Sequence, residues 1–242
     1  MKLIENEPAF MLHRRAYTDS RILVDLLTPN FGRIRGVHRA AKLRGAGRGK
    51  NRGHLQPQQF TLMQVSYRGD GDLKTILSLE NLGNPIPLVG IQLYCGLYLN
   101  EILSYLLPRE DAQAHLFNCY QSTLTALTNS DVGEEDICLR EFELVLMAEL
   151  GYALHFNADV NGSPIENSAE TYYRFELDRG FSREDADTQG VYLYRGCDLH
   201  AIADRDWAVE SARSVAKRLC RQAINHLLAG RSLKSRELFL TL

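Results

Sequence analysis

The chain has 242 residues, 45% of them hydrophobic and 24% charged, with 18 Gly and 7 Pro. That composition excludes disordered and fibrous classes and leaves room for one large or two small cored domains. No run of about 18 apolar residues occurs; the nearest approach, Val89 to Leu107, is interrupted by Gln92, Asn100 and Glu101, so no membrane span is expected. The amino-terminal residues carry Glu5 and Glu7 where a secretory signal would be basic and then apolar, which points to the cytoplasm.

The net charge of −2 conceals a segregation. Residues 1–80 hold 14 Lys/Arg against 7 Asp/Glu, whereas residues 81–242 hold 14 against 23. Between Asp25 and Asp70 there is no acid, and Arg33, Arg35, Arg39, Lys42, Arg44, Arg48, Lys50, Arg52 and Arg68 all fall there. A polyanion is the natural ligand of such a stretch.

In chain order, Ala9–Arg14, Arg21–Thr28, Arg33–Arg39, Phe60–Arg68 and Leu73–Leu79 are short and rich in Val, Ile, Leu, Phe and Tyr. Turn residues such as Pro29-Asn30-Phe31-Gly32 and Gly69-Asp70-Gly71 separate them, as strands require. Five strands in about 80 residues leave long edges unless they close, so a five-stranded barrel of the oligonucleotide-binding (OB) type is expected.

Between the third and fourth strands lies LRGAGRGKNRGH, Leu43 to His54. It is not a phosphate-binding P-loop: Gly45 stands one position too close to Gly49-Lys50, and Asn51 occupies the place of the magnesium-binding hydroxyl. Nor does a helix follow to hold a pyrophosphate, since His54-Leu55-Gln56-Pro57 comes next. What remains is a cationic, glycine-rich connection able to follow a nucleic-acid backbone, in which each neutralised phosphate adds about −0.7 to the salt slope on a single strand. Phe31 and Tyr67, beside these cations, are candidates for base stacking as well as for the barrel core.

After Pro85-Ile86-Pro87 the apolar period lengthens to about 3.6. Helices are expected at Val89–Leu107, Gln113–Thr128 and Glu134–Leu150, packing together as a bundle; the last opens on acids and stops at Gly151. Tyr152 to Cys197 is irregular, with strand-like pieces around Tyr172, Tyr173, Phe175, Tyr192 and Tyr194. Asp206 to Ala229 is a basic helix on which Arg213, Lys217 and Arg221 recur every four residues as one stripe, a second basic patch or simply a solvated helix face.

Little points to chemistry. The five cysteines, Cys95, Cys119, Cys138, Cys197 and Cys220, stand at least 19 residues apart, and the seven histidines give no H-x-x-x-H pair, so neither a disulfide framework nor a metal site is expected. No G-x-S-x-G or paired-carboxylate motif stands out. Glu101, alone in an apolar helix, reads as a helix-surface or interface residue in preference to a functional carboxylate.

The phrases PAFMLHRRAYTDSRILVDLLTPNFGRIRGVHRAA, HLQPQQF, LYCGLYLNEIL, LREFELVLMAELGY and LKSRELF, in that order over nearly the whole chain, resemble the RecO family of bacterial recombination mediators of the RecF pathway. The resemblance implies an α+β, two-domain protein: an OB-fold domain over 1–82, followed by a mainly helical domain over 83–242 with the irregular insert at about 152–197. It implies binding of single- and double-stranded DNA and annealing of complementary strands. It also implies, with RecR, loading of RecA onto DNA coated by single-strand-binding protein, with RecF as a further candidate partner, no cofactor, no catalysis and a place at the nucleoid. Some relatives carry four zinc-binding cysteines, which this sequence lacks.

One further site comes with the resemblance. A pocket on the helical domain receives the acidic and apolar tail of single-strand-binding protein, with Arg140 in the L-R-x-F-E-L phrase pairing with its carboxylate and Leu139 and Phe142 beside it; a salt bridge from Arg140 to Glu143 or Glu134 is the competing assignment. On the residues alone three rivals remain: an RNA-binding barrel, a nucleic-acid-processing enzyme with a scattered site, and a structural adaptor.

Overall fold

The computed structural model describes residues 2–39 and 57–239. Lys42, Arg44, Arg48, Lys50 and Arg52, and with them the glycine-rich stretch, lie outside the described residues. Two compact units emerge, Met1–Asn129 with Leu233–Leu242, and Ser130–Ser232. Among the described residues no helix is long and apolar enough to cross a membrane.

In the first unit β1 (Leu3–Thr18), β2 (Arg21–Thr28), β3 (Gly32–Arg39), β4 (Leu62–Arg68) and β5 (Lys74–Asn81) close into a barrel of order β1-β2-β3-β5-β4, with β4 returning to β1. Only the β3–β5 pair is parallel. The expected five-stranded OB barrel is therefore present, and the helices and small sheet that follow complete an α+β protein.

Alternation explains the interior: Met63, Val65 and Tyr67 on β4 join Ala9, Met11, Val24, Leu26, Ile34, Ile76 and Leu79 in one buried cluster. β1 runs far longer than the predicted Ala9–Arg14, because one strand must pair with β2 at one end and β4 at the other. Register shifts between Ile4 and Glu7, Met11 and His13, and Ala16 and Thr18 bend it around the barrel. Asn6, in the first of these, takes φ 59° and donates its N–H to Ser66 Oγ at 3.1 Å.

Ala9–Leu12 and Leu23–Thr28 are buried throughout, since both faces of these strands are covered. Inward residues line the barrel; the outward Phe10 meets Phe117 and Tyr120 of α2 (Ala114–Asn129) with ring centroids 5.2 Å apart in each case. The connection from α1 (Ile91–Leu106) to α2 is stitched to the β2–β3 turn: Gln113 N–H donates to Pro29 O and Glu110 N–H to Arg33 O, both at 3.1 Å. Gly32, with φ +57°, permits this approach, because a Cβ there would lie 1.7 Å from the Asp111 carbonyl oxygen.

Glu101 of α1 is an anchor, as its place in an apolar helix suggests. Its carboxylate accepts hydrogen bonds from Lys234 N–H (3.0 Å), Ser235 N–H (2.8 Å) and Ser235 Oγ (2.6 Å). This fixes the start of the short α6 (Ser235–Leu238) on α1, where Tyr94 and Phe239 meet edge to face at 6.0 Å.

The second unit holds α3 (Glu135–Glu149), a three-stranded antiparallel sheet of β6 (Tyr172–Glu176), β7 (Gly180–Glu184) and β8 (Leu193–Arg195) in the order β7-β6-β8, then α4 (Gly196–Ala203) and α5 (Glu210–Leu227). Its core gathers Met147, Tyr173, Phe175, Phe181, Tyr194, Leu199, Ala216 and Leu219. The predicted three-helix bundle is corrected here: α1 and α2 belong to the barrel unit, whereas α3 packs on α5. Periodicity shows that a helix has an apolar face, not which partner covers it.

Candidate nucleic-acid interface

The predicted DNA-binding cations divide sharply. Arg33 is buried, 7% exposed, with Nε donating to Asp25 Oδ1 and Nη1 to Leu107 O, each at 3.0 Å. Arg35, opposite Asp25 in the β2–β3 register, donates from Nη2 to Asp25 Oδ2 at 3.1 Å. A single buried carboxylate thus engages two of the arginines. Arg33 is a structural residue, not a surface ligand, because its guanidinium is desolvated and already hydrogen-bonded. Arg39 and Arg68 are exposed.

Tyr67 also leaves the candidate surface. It is 3% exposed, pointing inward with Met63 and Val65, and meets Phe31 edge to face at 6.2 Å. Burial, then the Glu7 and Glu110 carboxylates, push its hydroxyl up to about 12. The two-residue parity of β4 carries this assignment in the sequence itself. Phe31 is half-buried, and the Lys2 ammonium lies 4.7 Å from its ring centroid.

The outer face of the β1–β2–β3 sheet carries residues that the acid-free stretch did not single out. Val24 faces the barrel interior and pairs with Arg14 and Gly36. Alternation therefore sets Arg15, Leu23 and Val37 on the outer face, together with Arg21 and its partner Arg39. At the hairpin tip the register shift leaves Tyr17 and Thr18 sharing the place opposite Arg21, and Tyr17 is 52% exposed. Among the described residues the side chains of Arg15, Tyr17, Arg21 and Arg39 engage in no ion pair, hydrogen bond or ring contact. Burial holds His38 below the ordinary imidazole range, against an opposing hydrogen bond to the Ile76 backbone, so it adds no charge at neutral pH. The phrase HRRAYTDSR signalled this patch, with an aromatic between cations on a predicted hairpin.

Both described ends of the chain flanking residues 40–56 meet this hairpin. Arg39 pairs with Arg21, and Pro57 O accepts a hydrogen bond from Arg14 Nη1 at 3.2 Å.

In the second unit Arg140, Leu139 and Phe142 are 6%, 8% and 0% exposed, and Arg140 Nη2 lies 2.9 Å from Glu143 Oε1. The competing salt bridge is the one observed: positions three apart on α3 turn the same face inward, where each charge needs the other. These three residues form no open carboxylate-binding surface. A cleft of about 550 Å³ lies nearby, lined by Leu144, Ala148, Leu154 and Phe156 with His200 and Arg205. On α5, Arg213 is bound to Asp136, 2.5 Å from Nη2 to Oδ1, and to the Gly133 carbonyl, so only Lys217 and Arg221 of the predicted stripe stand exposed. Arg218 stacks over Tyr192 at 3.9 Å. Among the described residues no three His, Cys, Asp or Glu side chains are grouped to hold a metal ion.

The family models describing the amino- and carboxyl-terminal parts of recombination protein O match residues 1–84 and 89–237. The chain belongs to the RecO family. Among curated relatives it is 40% identical over 237 residues to the DNA repair protein RecO of Psychromonas ingrahamii, covering 98% of both chains. It is 44% identical to that of Stutzerimonas stutzeri, covering 98% of this chain and 94% of the relative. Against the Pseudomonas aeruginosa protein identity is 40% over 240 residues, 99% of this chain and 97% of the relative. The family's two model spans meet between residues 84 and 89, where strands give way to helices.

Proposed function

We propose that this chain acts in DNA repair and homologous recombination as a mediator, binding single- and double-stranded DNA and annealing complementary strands. With RecR it helps RecA replace single-strand-binding protein on DNA. The observation that carries the reading is the OB barrel whose outer β1–β2–β3 face offers Arg15, Arg21 and Arg39, without ion pairs among the described residues, around an exposed aromatic; family membership supports it. Two polyanionic strands approach slowly until their charge is neutralised, and cations that contact backbone without reading bases speed pairing of any sequence. Arg35, Arg68 and the loop cations Lys42, Arg44, Arg48, Lys50 and Arg52, the last five outside the described residues, are further candidate phosphate ligands. Lys217 and Arg221 offer a second, smaller one. The protein acts by binding, not by making or breaking bonds.

For the tail of single-strand-binding protein, the cleft lined by Leu144, Ala148, Leu154 and Phe156 suits apolar side chains. Arg205, half-exposed at its rim though already paired with Glu141 and Ile202 O, is the cation for a terminal carboxylate, while His200 Nε2 is taken up by Ile165 O. The geometry favours this cleft over Arg140. The exposed Ala148 offers a test: Ala148→Glu should weaken binding of the tail peptide at least tenfold and leave binding of naked DNA unchanged.

Annealing of labelled complementary strands, with and without single-strand-binding protein, tests the whole reading. The intact protein should accelerate pairing in both settings. Replacing Arg15, Arg21 and Arg39 together by Ala should slow it and reduce the salt slope of single-strand binding by about 2. An unchanged slope would reject the surface, and a matched RNA strand bound in preference to DNA would redirect the function.

A further inference from the structure

We infer that Tyr17 is a stacking platform for an unpaired base, so that the β1–β2 hairpin distinguishes a DNA strand with open bases from a duplex. The inference rests on the reading of the barrel as the DNA-binding unit and adds what that surface recognises.

The register shift between Ala16 and Thr18 is the starting point. An extra residue in a paired strand re-aims a side chain, and here it doubles Tyr17 with Thr18 opposite Arg21, which in turn pairs with Arg39. Tyr17, 52% exposed, leaves about half of its surface open to solvent. The other tyrosine of this barrel, Tyr67, is packed into the interior at 3% exposure. Tyr17 has no ring neighbour, no hydrogen-bond partner and no ion-pair neighbour among the described residues.

The cations around it have one chemical complement. Among the described residues Arg15, Arg21 and Arg39 are exposed and without ion pairs. Asp25, on the same sheet face, is engaged by Arg33 and Arg35, which leaves Asp19 in the hairpin turn as the acid nearest the patch, outnumbered by three cations. Guanidinium groups spaced along neighbouring strands follow phosphates, and an aromatic ring between them meets the bases that those phosphates carry. Every base has a π-face, so such a ring is indifferent to sequence. A duplex offers the phosphates but keeps its bases stacked on one another. Single-stranded DNA is therefore the occupant that uses the whole patch.

The test compares three probes on the full chain: oligo(dT) of about 16 nucleotides, an abasic strand of the same length, and a duplex. Tyr17→Ala should weaken oligo(dT) binding roughly tenfold, within the range that base–aromatic stacking supplies. Abasic-strand and duplex affinities should not change. Tyr17→Phe, which keeps the ring, should bind all three probes as the parent does. Oligo(dT) affinity unchanged in Tyr17→Ala would overturn the inference, as would an equal loss on all three probes, since neither follows from a stacked base. The triple replacement of Arg15, Arg21 and Arg39 by Ala separates the two levels. If it leaves every affinity intact, the barrel surface itself is misassigned, whereas a loss on all three probes with Tyr17→Ala silent rejects stacking alone.

Discussion

Replacing Arg140 by Ala should destabilise the second unit rather than remove a contact to a partner. Its guanidinium lies 2.9 Å from Glu143, and the two side chains are 7% and 1% exposed. Glu143 also borders Cys220 on α5, whose thiol is pushed up by burial first and then by this carboxylate. Two unit charges about 4 Å apart attract by about 4 kcal/mol at an effective dielectric of 20. Removing one partner of a buried pair costs about 3–5 kcal/mol for the charge left behind. A unit of about 100 residues has roughly 5–15 kcal/mol in total, and each kcal/mol moves its melting point by about 4–8 °C. Arg140→Ala should therefore lower the transition by about 12 °C or more in calorimetry. The double variant Arg140→Leu with Glu143→Leu should recover most of that, because two apolar groups leave no orphaned charge. If Arg140→Ala melts like the parent and yet loses the peptide of the single-strand-binding protein tail, the burial argument is wrong and Arg140 is a ligand after all.

Three further outcomes are expected. Gly32→Ala should destabilise the barrel unit by more than about 2 kcal/mol in denaturant unfolding, since φ +57° is strained for Ala and the new Cβ would sit 1.7 Å from the Asp111 carbonyl oxygen; a neutral result would show that the linker can retreat. Glu101→Ala removes three hydrogen bonds to a carboxylate, each worth about 1.5–3 kcal/mol, and should be seen as faster amide exchange over residues 233–239 with little change in the second unit. Stability should fall in alkali: Tyr67 holds its proton to about 12 in the folded protein against about 10 when unfolded. Its contribution is then complete below pH 10 and lost as pH rises through 12. Absorbance at the tyrosinate band should show this residue titrating late, and an early titration would place its ring in water.

The sequence made much of the architecture legible because the signals concerned were local. Alternating apolar residues located all five barrel strands, and the change of period marked the helices. It could not separate Arg33 from Arg39. Both are strand arginines in an acid-free stretch, and only the β2–β3 register brings the first beside Asp25 and leaves the second on open sheet. Arg140 concealed its burial for a related reason, since a short phrase does not reveal which helix face turns inward. Tyr67, by contrast, was readable from its parity with Met63 and Val65. Tyr17 lies outside the acid-free stretch, and its exposure goes with that of the whole strand end from His13 to Asp19, which the length of β1 decides.

The cover that α2 gives to Phe10 decides what a minimal fragment must contain. A fragment cut at the end of the fifth strand would strip Phe117 and Tyr120 from that ring and present a greasy wall to solvent. Such a truncation would clump, and its failure to hold an oligonucleotide would say nothing about the intact molecule. The smallest honest excision keeps residues 1–129 and splices on the carboxyl-terminal tailpiece that Glu101 fastens.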